Sequence, residues 1–223
     1  MTEAQLYLLL AEPIAGAVPE PLPPHLAVQT IERSLWSAEE KSLLKRHKAH
    51  TLWTFSLNTD PVRAFIEAYK YLQDLPHLVG VANPIACTAH HARWIRKIFA
   101  DGLEAVALRT PPLHLWTGLV LVEMELSLSS LLEGKTAALW LRTAGYEQFG
   151  LPNLAHPLQD PREIGWIHSL FEVLFDWMYF EGRALQVGDR LEVPERGRYE
   201  VGTFLPGVLA LIEWAETRAD TFS

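Results

Sequence analysis

The segment Thr136–Pro157, TAALWLRTAGYEQFGLPNLAHP, indicates the fold more clearly than any other part of the sequence. Its first part, Ala137 to Leu141, is almost entirely apolar, which is typical of a strand that is buried on both faces of a sheet. Arg142 and Thr143 then interrupt the run with a charge and a hydroxyl group. We interpret the segment as a central strand that leads into a polar loop, a place where functional residues are common.

The apolar run Leu115–Leu126 precedes this segment and is its predicted partner strand. The connection between the two runs is too short for a crossover helix of standard length, so we expect the two strands to be antiparallel. The remaining predicted strands are Gln5–Ala11, His25–Arg33, Thr51–Asn58, Leu78–Ala82, Leu191–Val193, Tyr199–Leu205 and Val208–Ala215, the last of which could equally be a helix.

Four helices are predicted between these strands. Ser37 and Asp60 are N-cap residues of the first two, and Pro61 suits the first position of its helix. The predicted helices are Ser37–His47, Pro61–Leu72, Cys87–Ala100 and Pro161–Phe180. This mixture of strands and single helices predicts an α+β fold, in which a mixed, largely antiparallel sheet is flanked by helices.

Composition predicts one globular domain that covers residues 1–223 and includes a proline-rich loop at residues 13–24. Hydrophobic residues make up 49% of the 223 residues and charged residues 21%, which is a normal globular balance. The eight tryptophans indicate an aromatic core or an exposed aromatic patch that contacts a partner. The net charge of −8 argues against nucleic acid and anionic membranes as partners.

The expected location is the cytoplasm. Cys87 is the single cysteine, so no intramolecular disulfide is possible and a reducing compartment is favoured. No basic region precedes the short apolar run near the N-terminus, and no stretch reaches the roughly 18 apolar residues of a membrane span. We therefore expect a soluble protein without a membrane partner.

Several short motifs resemble a bacterial family of domains of unknown function. A histidine opens the strand after the first basic helix, as in Ala49-His50. A strand that ends in Thr-x-Gly leads to Phe-Gly-x-Pro, as in Thr143-Ala144-Gly145 and Phe149-Gly150-Leu151-Pro152, and a Gly-Asp turn follows at Gly188-Asp189. The family often has an acidic residue where Asn153 stands here. The resemblance implies an α+β fold and no established activity.

Motifs for metal, cofactor or nucleophilic chemistry are absent from the sequence. The cysteine and histidines at 47, 50, 87, 90 and 91 fit no zinc-ligand spacing, and there is no CxxC or HExxH. No phosphate loop, dinucleotide fingerprint or G-x-S-x-G occurs. The basic run from Lys41 to Lys48 lacks interleaved aromatic residues for stacking on nucleic acid. We predict that the protein has no metal and no cofactor.

Two classes of function are consistent with these observations. We favour a non-enzymatic interaction protein, such as an adaptor or an immunity-type inhibitor, whose partner is another protein. The alternative is a small-molecule hydrolase with a site at the exit of the central strand 137–143. An enzyme needs a concave pocket in which polar groups converge, whereas an adaptor needs a shallow apolar patch with a polar rim. The sequence does not define the oligomeric state.

Six residues form the predicted binding site: His50, Arg142, Thr143, Gly145, Gly150 and Asp189. His50 begins one predicted strand and Arg142 ends another, so the two would share an edge if the strands were antiparallel in one sheet. The two glycines flank a turn that requires positive φ or close backbone approach. The Arg142 guanidinium suits a carboxylate on a partner or ligand, or alternatively forms a structural ion pair with Asp189.

Overall fold

The computed structural model of the protein describes residues 3–57, 60–100, 111–124 and 138–214. The chain forms two compact units, the first comprising Met1–Val120 with Ala144–Gly150 and the second comprising Leu121–Thr143 with Leu151–Ser223. The described residues contain two largely antiparallel sheets together with helices, which confirms the predicted α+β fold. The prediction of a single domain stays a prediction, and each unit is described by itself.

The first unit is built on a four-stranded antiparallel sheet with the order β2-β1-β3-β4. Its strands are β1 (Glu3–Leu10), β2 (Ala49–Ser56), β3 (Leu78–Asn83) and β4 (Thr88–His91). The two central strands are the most apolar, and from Leu8 to Leu10 every residue of β1 is buried. The edge strand β2 instead alternates between half-buried and exposed residues from Thr51 onward, because only one of its faces is covered.

The helices of this unit follow local sequence signals. They are α1 (Pro24–Ala27), a π-helical turn (Val28–Glu32), α2 (Ala38–Leu44), α3 (Pro61–Gln73), α4 (Ala92–Ala100) and α5 (Leu113–Trp116). The Ser37 hydroxyl accepts a hydrogen bond from Glu40 N at 3.2 Å, and the Asp60 carboxylate accepts one from Arg63 N at 3.0 Å. Both predicted N-caps are therefore confirmed.

Three sequence predictions about the elements of this unit are wrong. Residues 25–33, predicted as a strand, are helical, because the prolines before them favour the first turn of a helix. The helix predicted to start at Cys87 starts at Ala92, since Cys87 has a φ of +50° and the short strand β4 intervenes. The start of the predicted strand Leu115–Leu126 is the helical turn α5, which follows two prolines.

Aromatic side chains fill the core of the first unit. Phe65 of α3 stacks on Trp116 and on Phe149, with ring centroids 5.3 and 5.4 Å apart. Tyr69, one turn later, is fully buried and its hydroxyl donates to Leu115 O at 3.1 Å. The surplus of aromatic residues thus contributes in part to a packed interior, which is one of the two predicted uses.

The second unit contains a six-stranded sheet with the order β5-β6-β7-β10-β9-β8. Its strands are β5 (Gly118–Met124), β6 (Ala138–Ala144), β7 (Asn153–Pro157), β8 (Arg190–Val193), β9 (Gly197–Leu205) and β10 (Val208–Glu213). The predicted neighbours β5 and β6 do lie in one sheet. A 3-10 turn (Pro161–Glu163) and α6 (Ile164–Tyr179) follow β7, close to the predicted helix.

One feature of this sheet differs from the sequence prediction, and its strand directions agree with the predicted mixed, largely antiparallel sheet. The sequence predicts that β6 is buried on both faces. Trp140 is only half-buried, however, and packs on Phe204 with ring centroids 4.7 Å apart. β7 and β10 are parallel, whereas β6–β7, β10–β9 and β9–β8 are antiparallel. The run Leu128–Glu133, predicted to connect the first two strands, lies outside the described residues.

Within the part of the chain that the structure describes, no helix has the length and apolar content needed to cross a membrane.

Candidate functional site

The predicted site residues do not belong to one sheet. His50 lies on β2 of the four-stranded sheet, whereas Arg142 and Thr143 lie on β6 of the six-stranded sheet. The condition for a shared sheet edge, that the strands of His50 and Arg142 lie antiparallel in one sheet, is therefore not met. β2 pairs with β1 of the four-stranded sheet, and β6 pairs with β7 of the six-stranded sheet.

His50 secures the proline-rich segment to β2. Its backbone exchanges two hydrogen bonds with Val18, and its Nδ1 lies 2.9 Å from Glu20 O. The ring is buried and lies 6.0 Å from the ring of Tyr7. These contacts give His50 a structural role, and its role in binding stays a prediction.

Thr143 joins β6 to β7. Its hydroxyl donates to Asn153 Oδ1 at 3.2 Å and accepts a hydrogen bond from Leu154 N at 2.8 Å. Asn153 is thus a buried partner of Thr143. This polar bridge accounts for the hydroxyl within an otherwise apolar pair of strands.

Arg142 and Asp189 do not form the ion pair considered from the sequence. The Asp189 carboxylate accepts a hydrogen bond from Gln186 N at 2.7 Å, which closes the turn before β8. Arg142 is half-buried, and its Nε is buried without a hydrogen-bond partner among the described residues. A ligand role for this guanidinium stays a prediction.

The turn between Gly145 and Gly150 has a structural role in the first unit. Both glycines have positive φ, +100° and +75°, as the sequence predicts. Between them, the buried Gln148 donates through Nε2 to Gly145 O at 3.2 Å and to Trp116 O at 3.3 Å. Asn83 donates to Gln148 Oε1 at 3.2 Å, so every polar atom of the Gln148 amide is engaged.

His47, one of the histidines considered as metal ligands, forms hydrogen bonds with the backbone instead. His47 accepts a hydrogen bond from Leu22 N at 2.7 Å through Nε2 and donates through Nδ1 to Leu44 O at 2.7 Å. Among the described residues, no group of three or more histidine, cysteine, aspartate or glutamate side chains is arranged to hold a metal ion. That the protein binds no metal or cofactor stays a prediction.

A crevice that the sequence did not indicate lies at the carboxyl ends of the parallel strands β7 and β10. The two strands pair from Val208 with Asn153 to Ala210 with Ala155. Beyond that point Pro157 has no N–H with which to extend the ladder. The resulting crevice has a volume of about 430 Å³. Its lining residues are His156, Pro157, Gln159, Glu163, Trp166, Ile212 and Glu213.

His156 is the most unusual polar group in this crevice. Its Nδ1 donates to Pro157 O at 2.6 Å, which leaves Nε2 as the unprotonated acceptor. The residue is only 5% exposed, and Nε2 is buried without a partner among the described residues. The ring contacts Trp166 and Tyr199 edge-to-face, at 5.5 and 5.8 Å between centroids.

The charge state of His156 results from opposing influences. Burial removes water from the imidazolium and lowers the pKa of His156 below its ordinary value. The hydrogen bond to Pro157 O and the negative charges of Glu213 and Glu163 act in the opposite direction but are weaker. The ring is therefore neutral at pH 7, and its unprotonated nitrogen is a hydrogen-bond acceptor.

Glu163 and Glu213 place two carboxylates around the crevice. Glu163 Oε2 accepts hydrogen bonds from the backbone N–H groups of Gln159 and Asp160, at 3.1 and 3.3 Å. Together with Asp160 it forms a capping box at the start of the 3-10 turn. The spacing Asp160-x-x-Glu163 before an apolar helix was the available sequence signal for this part of the crevice.

The outer edge of β2 is a second candidate site. The backbone of His50 bonds outward to Val18, so the N–H and C=O groups of Leu52 and Thr54 also point away from β1. Within the described residues these groups have no backbone partner. Residues 51–56, TLWTFS, contain neither a charge nor a proline, the devices that usually protect a sheet edge from pairing.

An aromatic surface adjoins this edge. Trp53 lies 5.2 Å from Phe55 and 5.7 Å from Tyr71 of α3, measured between ring centroids. Tyr71 is 62% exposed, and Leu52, on the opposite face of β2, is 48% exposed. The edge of β2 therefore offers backbone hydrogen-bonding groups with apolar side chains on both faces.

Comparison with protein-family models, with curated proteins and with solved structures gave no match. The resemblance to a bacterial family of domains of unknown function therefore stays a prediction.

Proposed function

We propose that the protein is a non-enzymatic interaction protein that binds an extended segment of another protein along the outer edge of β2. The observation that supports this function is the uncharged edge at Leu52 and Thr54, whose outward backbone groups have no backbone partner within the described residues. Addition of a strand to such an edge uses backbone hydrogen bonds for affinity and neighbouring side chains for specificity. A cytoplasmic location, supported by the single Cys87, agrees with an adaptor or immunity-type role.

The charges at the two ends of β2 indicate the kind of segment that binds. Lys48 is exposed just before the strand, and Glu3, which pairs with Ser56, is exposed at its other end. An antiparallel partner strand would therefore be apolar in its centre, basic at its N-terminal end and acidic at its C-terminal end. A second copy of the chain is the competing occupant that the experiment must exclude.

Thr54 provides a sharp test because its N–H points outward. Thr54→Pro removes that donor without removing a hydrogen bond to β1, whereas Thr54→Val keeps the donor and a similar shape. The probe is the capped peptide Lys-Thr-Val-Thr-Val-Thr-Val-Glu, titrated by calorimetry. We expect the proline variant to raise Kd about tenfold, as for the loss of one or two hydrogen bonds, and the valine variant to bind like wild type.

Two results would contradict the proposal. The first is equal binding of the peptide by the proline and valine variants, with thermal unfolding confirming that both are folded. The second is self-association of the wild-type protein in sedimentation that Thr54→Pro abolishes, because the occupant of the edge would then be a second copy. The alternative of a hydrolase site at the exit of strand 137–143 stays a prediction, and the bonds of Thr143 to Asn153 and Leu154 do not favour it.

A further inference from the structure

We propose that the crevice at the carboxyl ends of β7 and β10 binds a small organic cation, with an ammonium or guanidinium group attached to a flat apolar body. All the residues that carry this proposal belong to Leu151–Ser223 of the second unit. The edge of β2 lies in the first unit. The cation site therefore does not depend on the proposed strand addition, and each can fail without the other.

His156 Nε2 is a hydrogen-bond acceptor that has no donor among the described residues. His156 Nδ1 is committed to Pro157 O, so the lone pair of Nε2 remains, buried and without a partner among the described residues. A buried acceptor that has lost its water without gaining a hydrogen bond is costly to the folded protein. Because Nε2 itself is inaccessible, we infer that the ring turns toward the crevice on binding, where an N–H of the guest supplies the missing bond.

The charged side chains that line the crevice are negative. The lining includes Glu163 and Glu213 but no lysine or arginine. Arg162, the neighbouring cation, is exposed and pairs with Asp160. Glu163 is held in place by two backbone donors, so its carboxylate needs little rearrangement to meet a guest.

The neutral state of His156 matters for the same guest. Burial lowers the pKa of this histidine, so the ring carries no positive charge that would repel a cation at pH 7. A protonated His156 would repel the guest and would also lose the acceptor on Nε2. The crevice thus combines a neutral acceptor with two negative groups.

The size and lining of the crevice suit a small organic molecule. A volume of about 430 Å³ lies within the range of small-molecule sites, which starts near 300 Å³. His156, Glu163 and Glu213 are all described, yet they do not form a group that could hold a metal ion. A guest that reaches all three must be larger than a metal ion. Trp166 and the exposed Ile212 offer apolar surface, and an indole face attracts cations.

Benzylammonium is the probe that matches these features. Its binding is followed by the indole N–H signal of Trp166 in ¹H–¹⁵N spectra, assigned with Trp166→Phe, and by the Nε2 signal of His156. For a ligand of this size we expect a Kd of about 1 mM. Benzyl alcohol lacks the charge, and benzyltrimethylammonium keeps the charge but has no N–H. Each should bind at least about fivefold more weakly, since each loses one of the recognised features.

Glu213→Gln and the matched control Glu192→Gln test the protein side. Both residues are exposed strand glutamates, but Glu192 lies on β8 outside the crevice lining. We expect Glu213→Gln to raise Kd for benzylammonium about threefold and Glu192→Gln to leave it unchanged, as for partly exposed charge pairs. The proposal is overturned if benzylammonium shows no binding at concentrations up to about 10 mM. It is also overturned if benzyl alcohol or benzyltrimethylammonium binds as tightly as benzylammonium, or if the two variants have equal Kd values for benzylammonium.

Discussion

His90 makes the first unit sensitive to acid. Its ring is fully buried, and Nε2 lies 3.0 Å from the Tyr69 hydroxyl, which itself donates to Leu115 O. Nε2 therefore carries the proton, and Nδ1 is an acceptor without a partner among the described residues. Burial, with a smaller effect from His114, lowers the pKa of His90 to about 3.

The sign of the effect follows from the direction of this pKa change. The folded-state pKa lies below the unfolded value of about 6.5, so the unfolded protein binds the proton more readily. The stability that His90 contributes is fully present above pH 6.5 and is lost as the pH falls toward 3. At pH 5, protonation favours the unfolded state about thirtyfold, which corresponds to about 2 kcal/mol.

Urea unfolding at pH 7.5 and pH 5.0 measures this contribution. His90→Gln keeps an N–H donor near Tyr69 but cannot titrate, so the loss of stability between the two pH values should shrink by about 2 kcal/mol. The other histidines are the same in both proteins, so their effects cancel in the comparison. His25→Gln, at an exposed position, is the control and should match wild type. An equal loss of stability on acidification in His90→Gln and wild type would show that His90 does not cause the acid sensitivity.

Two further substitutions test packing through urea unfolding. A Cβ added at Gly118 would overlap the Ala86 carbonyl oxygen, so Gly118→Ala should lower the free energy of unfolding by about 1–3 kcal/mol. The control Gly165→Ala lies in α6 with open space around the new methyl group, so it should be neutral or stabilising. Equal effects of the two substitutions would refute the close contact of Gly118 with Ala86. Trp140→Ala should cost about 2 kcal/mol, less than the roughly 3–5 kcal/mol of a core aromatic, because Trp140 is half-buried against Phe204; a full core-sized loss would contradict that burial.

Local features of the fold could be predicted from the sequence because nearby residues determine them. Ser37 and Asp60 cap their helices through side-chain oxygens that reach backbone N–H groups three residues later. The positive φ values of Gly145 and Gly150 follow similarly from the short turn between them. Apolar runs identified most of the strands, since burial demands apolar residues wherever the strand is placed.

The pairing of strands could not be predicted, because it depends on contacts between distant parts of the chain. The apolar runs at β2 and β6 look alike in the sequence, yet they belong to different sheets. For this reason the sequence did not show that the strands of His50 and Arg142 belong to different sheets. The crevice at His156 was missed for the same reason, since it depends on the parallel pairing of β7 with β10. Nothing near His156 in the sequence indicates that pairing.

Amide hydrogen exchange along β2 tests the central claim most directly. The N–H groups of Leu52 and Thr54 point outward, whereas those of Trp53 and Phe55 face β1. In the free protein we expect the Leu52 and Thr54 amides to exchange much faster than those of Trp53 and Phe55, and to become protected when the partner strand is added. Equal protection of all four amides in the free monomer would show that the edge is already covered and would contradict the proposed function.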